Sequence, residues 1–496
     1  MIRYEDNSIS FEEADLQQFS DESGDRNPLH MKERYAQTTV YGERVVFGML
    51  GAITLLKEYN VDTKQIDIKF NMPLFLNRRY YYAKEEKRGV IFLYLTENGN
   101  KLISIKIDAK EVKKEENVAC EVKRILPMLS SALLLSDKDL NEQCGIEGEY
   151  EIQAVNDLEC VNQREYLYHI LRFCSYAVGM ISPGERALFI QASVSLKHIP
   201  EKLSKMSYRI SKLNYNETLG IIENMIEIFC ADTLVAICKV QAYIRAKFSL
   251  ETVDERKLSD EHQGKVVMII GGTKGIGAEI AKSYVSSGAN VILTYYHSED
   301  KAIELFDYLR SISDKVELVR KDMSNYEDCR NLRQYLEKKY NAIDRLFLCA
   351  ALPSRNLEFY PETYPVFENY INEGIRIFYY PFLTFQSLVA EQGKIIVFSS
   401  IAVVQKKEAS KMLDYICVKS MVESIVECSY YKNKDRKEYY VVRPPKMLTE
   451  MNNTPIGRMG ALKPDVIAKQ MLKEVEKTIV GKERYYTIEF HNSHID

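Results

Sequence analysis

The chain has 496 residues, a length that suits about three domains and allows real cores. Its 71 Asp and Glu and 67 Lys and Arg leave a net charge of -4, without the basic excess that a nucleic-acid partner selects. With 46% hydrophobic and 28% charged residues, 13 Pro and 22 Gly, the composition excludes a disordered or fibrous chain. The apolar stretch Val45 to Leu56 offers only about 12 residues where a membrane span needs about 20, and MIRYEDNSIS lacks a basic and apolar leader. A cytoplasmic protein with no membrane partner is expected. The 10 Cys are scattered, with no CxxC pair and no His cluster at metal-ligand spacing, which predicts reduced core thiols and no metal.

In chain order, a helical segment Met49 to Tyr59 precedes the strand patterns IDIKFNMPLF, GVIFLYLTE and KLISIKIDA, which makes residues 1–118 an α+β domain. Residues 119–248 repeat that order. The helical segment Tyr166 to Met180 is followed by the strand patterns ALFIQASVSL, MSYRIS, TLGIIENMIEIFC and LVAICKVQAYIRA. The polar stretch Ser249 to Lys265 contains a linker at 249–263. From 264 on, VVMIIGG, NVILTYY, VELVRKD, RLFLCAA and KIIVFSS alternate with helical patterns, the spacing of a doubly wound parallel α/β sheet. The runs Arg78-Arg79-Tyr80-Tyr81-Tyr82 and YYKNKDRKEYY read as solvated surface.

Between the strand ending at Ile270 and the helix after it lies Gly271-Gly272-Thr273-Lys274-Gly275-Ile276-Gly277. Such glycines let a pyrophosphate approach backbone N–H groups at a helix N-terminus, where the helix dipole favours an anion. The next strand ends in Thr294-Tyr295-Tyr296-His297, with no carboxylate for a ribose 2′-hydroxyl, while Lys274 is placed for a 2′-phosphate. NADPH is therefore expected over NADH. Farther on, Tyr415 and Lys419 stand one helical turn apart, where the cation is expected to lower the phenol from about 10 and ready it as a proton donor. The preceding strand ends at Ser399-Ser400.

Over about 265–480 these residues resemble the short-chain dehydrogenase/reductase family, in particular its β-ketoacyl reductases, with a Rossmann-type fold. The resemblance implies that Ser400 orients a carbonyl, Tyr415 donates the proton, Lys419 tunes it and binds the nicotinamide ribose, and Asn372 joins the proton relay. It gives Gly271, Thr273, Lys274, Gly275, Ile276 and Gly277 to the phosphates, Asp322 to the adenine, and Arg443 through Thr449 to the nicotinamide amide. The sequence departs from the family at Ile270 (for Thr), at Leu348-Cys349-Ala350-Ala351 (for Asn-Asn-Ala-Gly) and at Pro444-Pro445 (for Pro-Gly), and it lacks the closing Asp-Gly-Gly strand.

Upstream, Ser23-Gly24-Asp25-Arg26-Asn27-Pro28-Leu29-His30 puts a carboxylate and an imidazole five apart, a plausible acid–base pair, ahead of Phe47-Gly48-Met49-Leu50. Over about 10–115 this resembles the MaoC-like, (R)-specific enoyl-thioester hydratases of the hot-dog fold. The resemblance implies that Asp25 and His30 share the proton transfers of adding or removing water, while the Gly48 N–H polarises the thioester carbonyl. The family often has His where this chain has Phe47. Residues 119–248 read as a second, non-catalytic hot-dog domain, completing a double hot dog.

The two resemblances imply adjacent steps: an NADPH-dependent 3-oxoacyl-thioester reductase and a 3-hydroxyacyl-thioester dehydratase in fatty-acid-like or polyketide biosynthesis, acting on an acyl carrier protein or coenzyme A. Homo-oligomerisation stays open. Two alternatives are an oxidative enoyl hydratase plus dehydrogenase, and a dehydratase carrying a pseudo-reductase.

Overall fold

The computed structural model describes residues 1–36, 39–97, 99–108, 122–143, 145–151, 162–200, 205–246, 259–354, 361, 364–407, 409–410, 412–433, 436–453, 455–477 and 484–490. The expected domain boundary at 118/119 and linker residues 249–258 lie outside them. The chain divides into two compact units, one of residues 1–37 and 43–247, the other of residues 38–42 and 248–496.

In the first unit the helices are α1 (Glu13–Ser23), α2 (Pro28–Met31), α3 (Glu33–Ala36), α4 (Gly48–Glu58), α5 (Asp137–Asn141) and α6 (Gln163–Tyr176), the last continued by a π turn at Ala177–Ile181. The strands are β1 (Ile2–Arg3), β2 (Ser8–Ser10), β3 (Val45–Val46), β4 (Gln65–Phe70), β5 (Leu74–Phe75), β6 (Tyr80–Lys87), β7 (Val90–Glu97), β8 (Asn100–Ile107), β9 (Val122–Leu126), β10 (Gly145–Tyr150), β11 (Ala187–Leu196), β12 (Met206–Asn216), β13 (Ile221–Cys230) and β14 (Thr233–Ile244). Twelve of them form one sheet in the order β1-β2-β6-β7-β8-β4-β11-β14-β13-β12-β10-β9.

That order contains a repeat. The first half runs strand β2, helix α4, then β4, β6, β7 and β8, placed as β2-β6-β7-β8-β4. The second runs β10, α6, then β11, β12, β13 and β14, placed as β10-β12-β13-β14-β11. The halves meet through equivalent strands, β4 antiparallel to β11. Strand alternation sends Ile66 and Ile68 of β4 inward and turns Asp67 and Lys69 to the other face. Every residue of α6 from Tyr166 to Tyr176 is buried, and α4 buries Met49, Ala52, Ile53, Leu55 and Leu56. Helices covered on nearly all sides form the core of such a sheet. Tyr80, expected on a solvated surface, is fully buried, with its hydroxyl donating to the Phe75 carbonyl at 3.0 Å. Strand alternation leaves its two neighbours, Arg79 and Tyr81, exposed.

The second unit alternates β15 (Val266–Ile270), α7 (Gly275–Ser286), β16 (Asn290–Tyr295), α8 (Glu299–Ile312), β17 (Val316–Arg320), α9 (Tyr326–Tyr340), β18 (Ile343–Leu348), α10 (Tyr364–Phe385), β19 (Val389–Phe398), α11 (Leu413–Lys432) and β20 (Glu438–Arg443). After these come α12 (Pro455–Arg458), α13 (Pro464–Glu476) and β21 (Tyr485–Glu489). All strand pairs are parallel, in the order β17-β16-β15-β18-β19-β20-β21. Successive residues of β15 serve opposite core layers, Met268 and Ile270 one, Val267 and Ile269 the other. The order reverses between β15 and β18, and the crevice at the carboxyl ends of those two strands is where open sheets of this kind bind ligands. The closing strand forms without Asp-Gly-Gly: Tyr485 to Glu489, rich in aromatic and β-branched residues, pairs with β20. The expectation of core thiols holds for Cys174, Cys230, Cys238 and Cys329, whereas Cys349 and Cys417 are half-buried and Cys428 is exposed. Among the described residues, no helix is long and apolar enough to cross a membrane.

Candidate active sites

At the carboxyl end of β15 the Gly-rich turn packs backbone against backbone. Gly271 has φ +73°, and a Cβ there would stand 2.8 Å from the Ala350 nitrogen; a Cβ on Gly277 would stand 2.5 Å from the Gly271 carbonyl oxygen. No side chain fits at either place without moving main chain. The departures from the family are absorbed locally. Ile270 is fully buried, and the Gly271 N–H donates instead to the Thr294 hydroxyl at 3.2 Å. In place of asparagine side chains, the N–H groups of Cys349 and Ala350 both donate to the Ile270 carbonyl, at 2.9 and 3.1 Å.

Thr273 and Ile276 are buried, and Lys274 occupies the N-cap position of α7. Its ammonium pairs with Glu450 at 3.0 Å, and Lys301 of α8 pairs with the other oxygen of the same carboxylate. The Thr449 methyl would lie 3.3 Å from a Cβ on Gly275, so the Thr449 segment rests on the turn. Asp322 accepts from the Ser324 N–H and hydroxyl at 2.8 and 2.6 Å, closing the turn into α9. The glycine cradle, the free amides expected at the start of α7 and the two lysines fit the phosphates of a dinucleotide.

Tyr415 and Lys419 come together on α11, and Ser400, just past β19, lies in hydrogen-bond reach of the Tyr415 phenol. Lys419 is buried, donates to the Phe398 carbonyl at 2.8 Å, and stands 5.7 Å from the centre of the Tyr415 ring. Burial pushes the Tyr415 phenol up, with the Ser400 contact opposing the rise, and pushes Lys419 down to about 8. The expected lowering of Tyr415 by Lys419 is therefore not found: burial dominates, and the Lys419 ammonium is turned to the Phe398 carbonyl.

Beside them a cavity of about 10 Å³, room for about one water, is lined by Ala350, Tyr370, Gly374, Phe378, Tyr415 and Lys419. Asn372 is not brought to this group. Positions 370, 374 and 378 share the inward face of α10, whereas 372 is about 200° away from 370 and is exposed. Arg443 is likewise occupied: its guanidinium binds Glu423 at 2.9 and 2.7 Å and also bonds Glu489, joining β20 to α11 and β21.

In the first unit, the Asp-x-Asn-Pro-x-x-His string folds as its residues dictate. Gly24, at φ +69°, ends α1; the Asn27 side chain accepts from the Leu29 N–H at 3.0 Å as the N-cap of α2, and Pro28 opens that helix. The Asn27 amide also donates to the carbonyls of Gly179 and Gly184 at 3.0 and 3.1 Å, tying the string to the second half of the sheet. Asp25 is 2% exposed, and its carboxylate accepts from the Ser175 hydroxyl at 2.7 Å and from the Asn27 N–H at 3.0 Å. A Cβ on Gly179 would lie 2.6 Å from both carboxylate oxygens.

Burial raises Asp25 to about 7, against the two hydrogen bonds that lower it. His30 is held by the Val45 carbonyl, 2.6 Å from Nδ1; a carbonyl only accepts, so Nδ1 carries the proton and Nε2 is the basic nitrogen. Its ring packs on Phe47 with centroids 4.0 Å apart, and burial, aided by the Arg245 charge, lowers it to about 4. Gly48 opens α4, its N–H among the first amides left without an intrahelical partner, and a Cβ there would meet the Phe70 ring at 2.8 Å. Among the described residues Asp25 and His30 share no direct hydrogen bond.

Sequence reasoning missed Ser175, Gly179 and Glu450 as parts of these sites. The first two lie in the helical segment Tyr166 to Met180 of the second half; nothing about Glu450 in the sequence links it to Lys274.

Residues 265–455 match the family model of short chain dehydrogenases, and this part of the chain is a short chain dehydrogenase domain. A curated relative, a dehydrogenase/reductase SDR family protein 7-like of Dictyostelium discoideum, is 32% identical over 92 residues, 18% of this chain and 29% of that one. The hydroxynaphthalene reductase of Aspergillus fumigatus is 30% identical over 81 residues, 16% of this chain and 30% of its own. The chain thus spans less than a third of the length of either. Among solved structures, a short chain dehydrogenase from Burkholderia cenocepacia in complex with NADP matches at 19% identity and TM-score 0.40, covering 46% of this chain and 98% of that one. A 3-ketoacyl-(acyl-carrier-protein) reductase from Brucella melitensis, complexed with NADH, matches at 18% identity and TM-score 0.39, covering 46% and 96%.

Proposed function

We propose that the chain is bifunctional: its second unit reduces a 3-oxoacyl thioester with NADPH, and its first, a double hot dog of the MaoC type, dehydrates the 3-hydroxyacyl product. Support for the reductase half is the convergence of Ser400, Tyr415 and Lys419 at the carboxyl end of β19 in a short chain dehydrogenase domain. NADPH, when bound, supplies the hydride to the carbonyl carbon. Ser400 orients the carbonyl by its hydroxyl, and Tyr415, which burial keeps protonated, delivers the proton of its phenol to the oxygen. Lys419 lies within electrostatic reach to steady the charge left on Tyr415.

For the dehydratase, the supporting observation is the opposed pair: Asp25 raised to about 7 and His30 lowered to about 4. At pH 5 to 6 the pair holds one transferable proton, so one member takes the α-proton while the other returns a proton to the departing hydroxyl, and water leaves. The Gly48 N–H at the start of α4 faces enolate charge as it develops on the thioester oxygen. The thioester belongs to an acyl carrier protein or coenzyme A.

The test is the mass of the product formed from NADPH and a short 3-oxoacyl thioester. A gain of two hydrogens followed by loss of water supports both halves. Tyr415→Phe is expected to cut reduction by about 10²- to 10⁴-fold and leave dehydration of added 3-hydroxyacyl thioester intact. Asp25→Asn and His30→Ala are expected to do the reverse. A second reading, a dehydratase with a pseudo-reductase, draws on the outward Asn372 and on the carboxylate seated on Lys274. Failure of the chain to bind NADPH would establish it.

A further inference from the structure

We propose that Glu450 is an internal counter-ion of the 2′-phosphate site, which the phosphate of NADPH must displace, so that this residue sets how strongly the chain discriminates NADPH from NADH. The proposal rests on the NADPH reading of the second unit. Glu450 opens a 3₁₀ turn, Glu450–Asn452, directly after Thr449. One carboxylate oxygen takes the Lys274 ammonium at 3.0 Å and the other takes that of Lys301. The two cations come from separate elements, the Gly-rich turn after β15 and the first turn of α8 after β16. They converge beside the carboxyl end of β16, where a sheet of this order places the adenosine ribose.

Two ammonium groups gathered on both oxygens of one carboxylate make a site of the size and charge for a phosphate monoester. A carboxylate brings one negative charge to them, a monoester about 1.5 to 2 at pH 7. The phosphate therefore wins the competition, and a nucleotide with a free 2′-hydroxyl does not compete for the lysines at all. The segment that carries Glu450 is anchored at its base: the Leu448 N–H donates to the Leu462 carbonyl at 2.7 Å, and the Asn452 amide to the Met447 carbonyl at 2.9 Å. Displacement then moves a short turn while its base stays fixed.

The full chain, Glu450→Gln and Lys301→Gln are titrated with NADPH and with NADH, following nicotinamide fluorescence. Glu450→Gln removes the ion pairs that NADPH must break. NADPH is expected to bind about three- to tenfold tighter, the scale of one or two partly exposed ion pairs, with NADH unchanged. Lys301→Gln is expected to weaken NADPH selectively. The proposal fails if Glu450→Gln leaves NADPH affinity unchanged or weaker, or tightens both nucleotides alike. If wild type binds neither nucleotide, the reductase reading falls and takes this proposal with it. Wild-type NADPH binding that Glu450→Gln does not alter overturns the Glu450 assignment alone.

Discussion

What raises Asp25 is removal from water, against two hydrogen bonds to the charged form. A carboxyl group whose folded pKa lies near 7 and whose ordinary value is 3.8 stabilises the fold fully below about 4 and loses that contribution as pH rises through 7. His30 works in the opposite sense: lowered from 6.5 to about 4, it lets stability grow as pH rises across that interval. Asp25→Asn abolishes the first titration and keeps the second. Its melting temperature relative to wild type is therefore expected to climb between pH 5 and pH 8, by an amount worth a few kcal/mol, in thermal denaturation at the two pH values. Dehydration should show a bell-shaped kcat/KM profile with limbs near 4 and 7. Ser175→Ala, which removes a hydrogen bond to the charged form, is expected to move the alkaline limb upward. If Ser175 served packing alone, the rate would fall and the limb would stay.

The positions of catalytic groups are fixed by pairs of elements. The π turn after α6 places Gly179 against the Asp25 carboxylate, so Gly179→Ala is expected to cost dehydration at least about tenfold in kcat/KM with reduction of 3-oxoacyl thioester unchanged. In the second unit, Gly271→Ala meets both a positive φ and the Ala350 backbone; a loss of about 1–3 kcal/mol in that unit is expected by thermal unfolding. The glycine turn, the parallel βαβ order and Tyr415 with Lys419 were legible because each is local: a strand ends, a turn needs glycine, two residues share a helix face. Asn372 was misplaced by the same local logic. Its sequence spacing suits a relay, while the turn of α10 that points inward is set by Tyr370, Gly374 and Phe378 packing beneath it. The lowered phenol was misjudged because burial and the direction of the Lys419 ammonium are properties of the folded surroundings. Ser175 on Asp25 is a contact across 150 residues, and Glu450 on Lys274 one across 176, which no periodicity encodes.

At the scale of the molecule, one core cluster runs through both halves of the twelve-stranded sheet, so its second half is structurally continuous with the first and supplies the hydroxyl on Asp25. The second unit has its own two core layers on the faces of its own sheet. Each proposed reaction thus draws its acid–base groups from one unit: Ser400, Tyr415 and Lys419 from the second, Asp25, His30 and Gly48 from the first. Inactivating one site should leave the other whole, and the 3-hydroxyacyl thioester is the chemical link between them. Equimolar Tyr415→Phe and Asp25→Asn chains, each silent in overall conversion of 3-oxoacyl to enoyl thioester, are therefore expected to restore conversion when mixed. Because the intermediate must leave one chain and find another, the mixture should show a lag that shortens as enzyme concentration rises, whereas covalent linkage in wild type keeps the second site at a fixed effective concentration. Time courses of enoyl-thioester absorbance over a range of enzyme concentrations measure it. A mixture that remains silent, with each single activity intact, would mean that the intermediate does not exchange between chains; a wild-type lag as long as that of the mixture would mean that fusion gives no kinetic coupling.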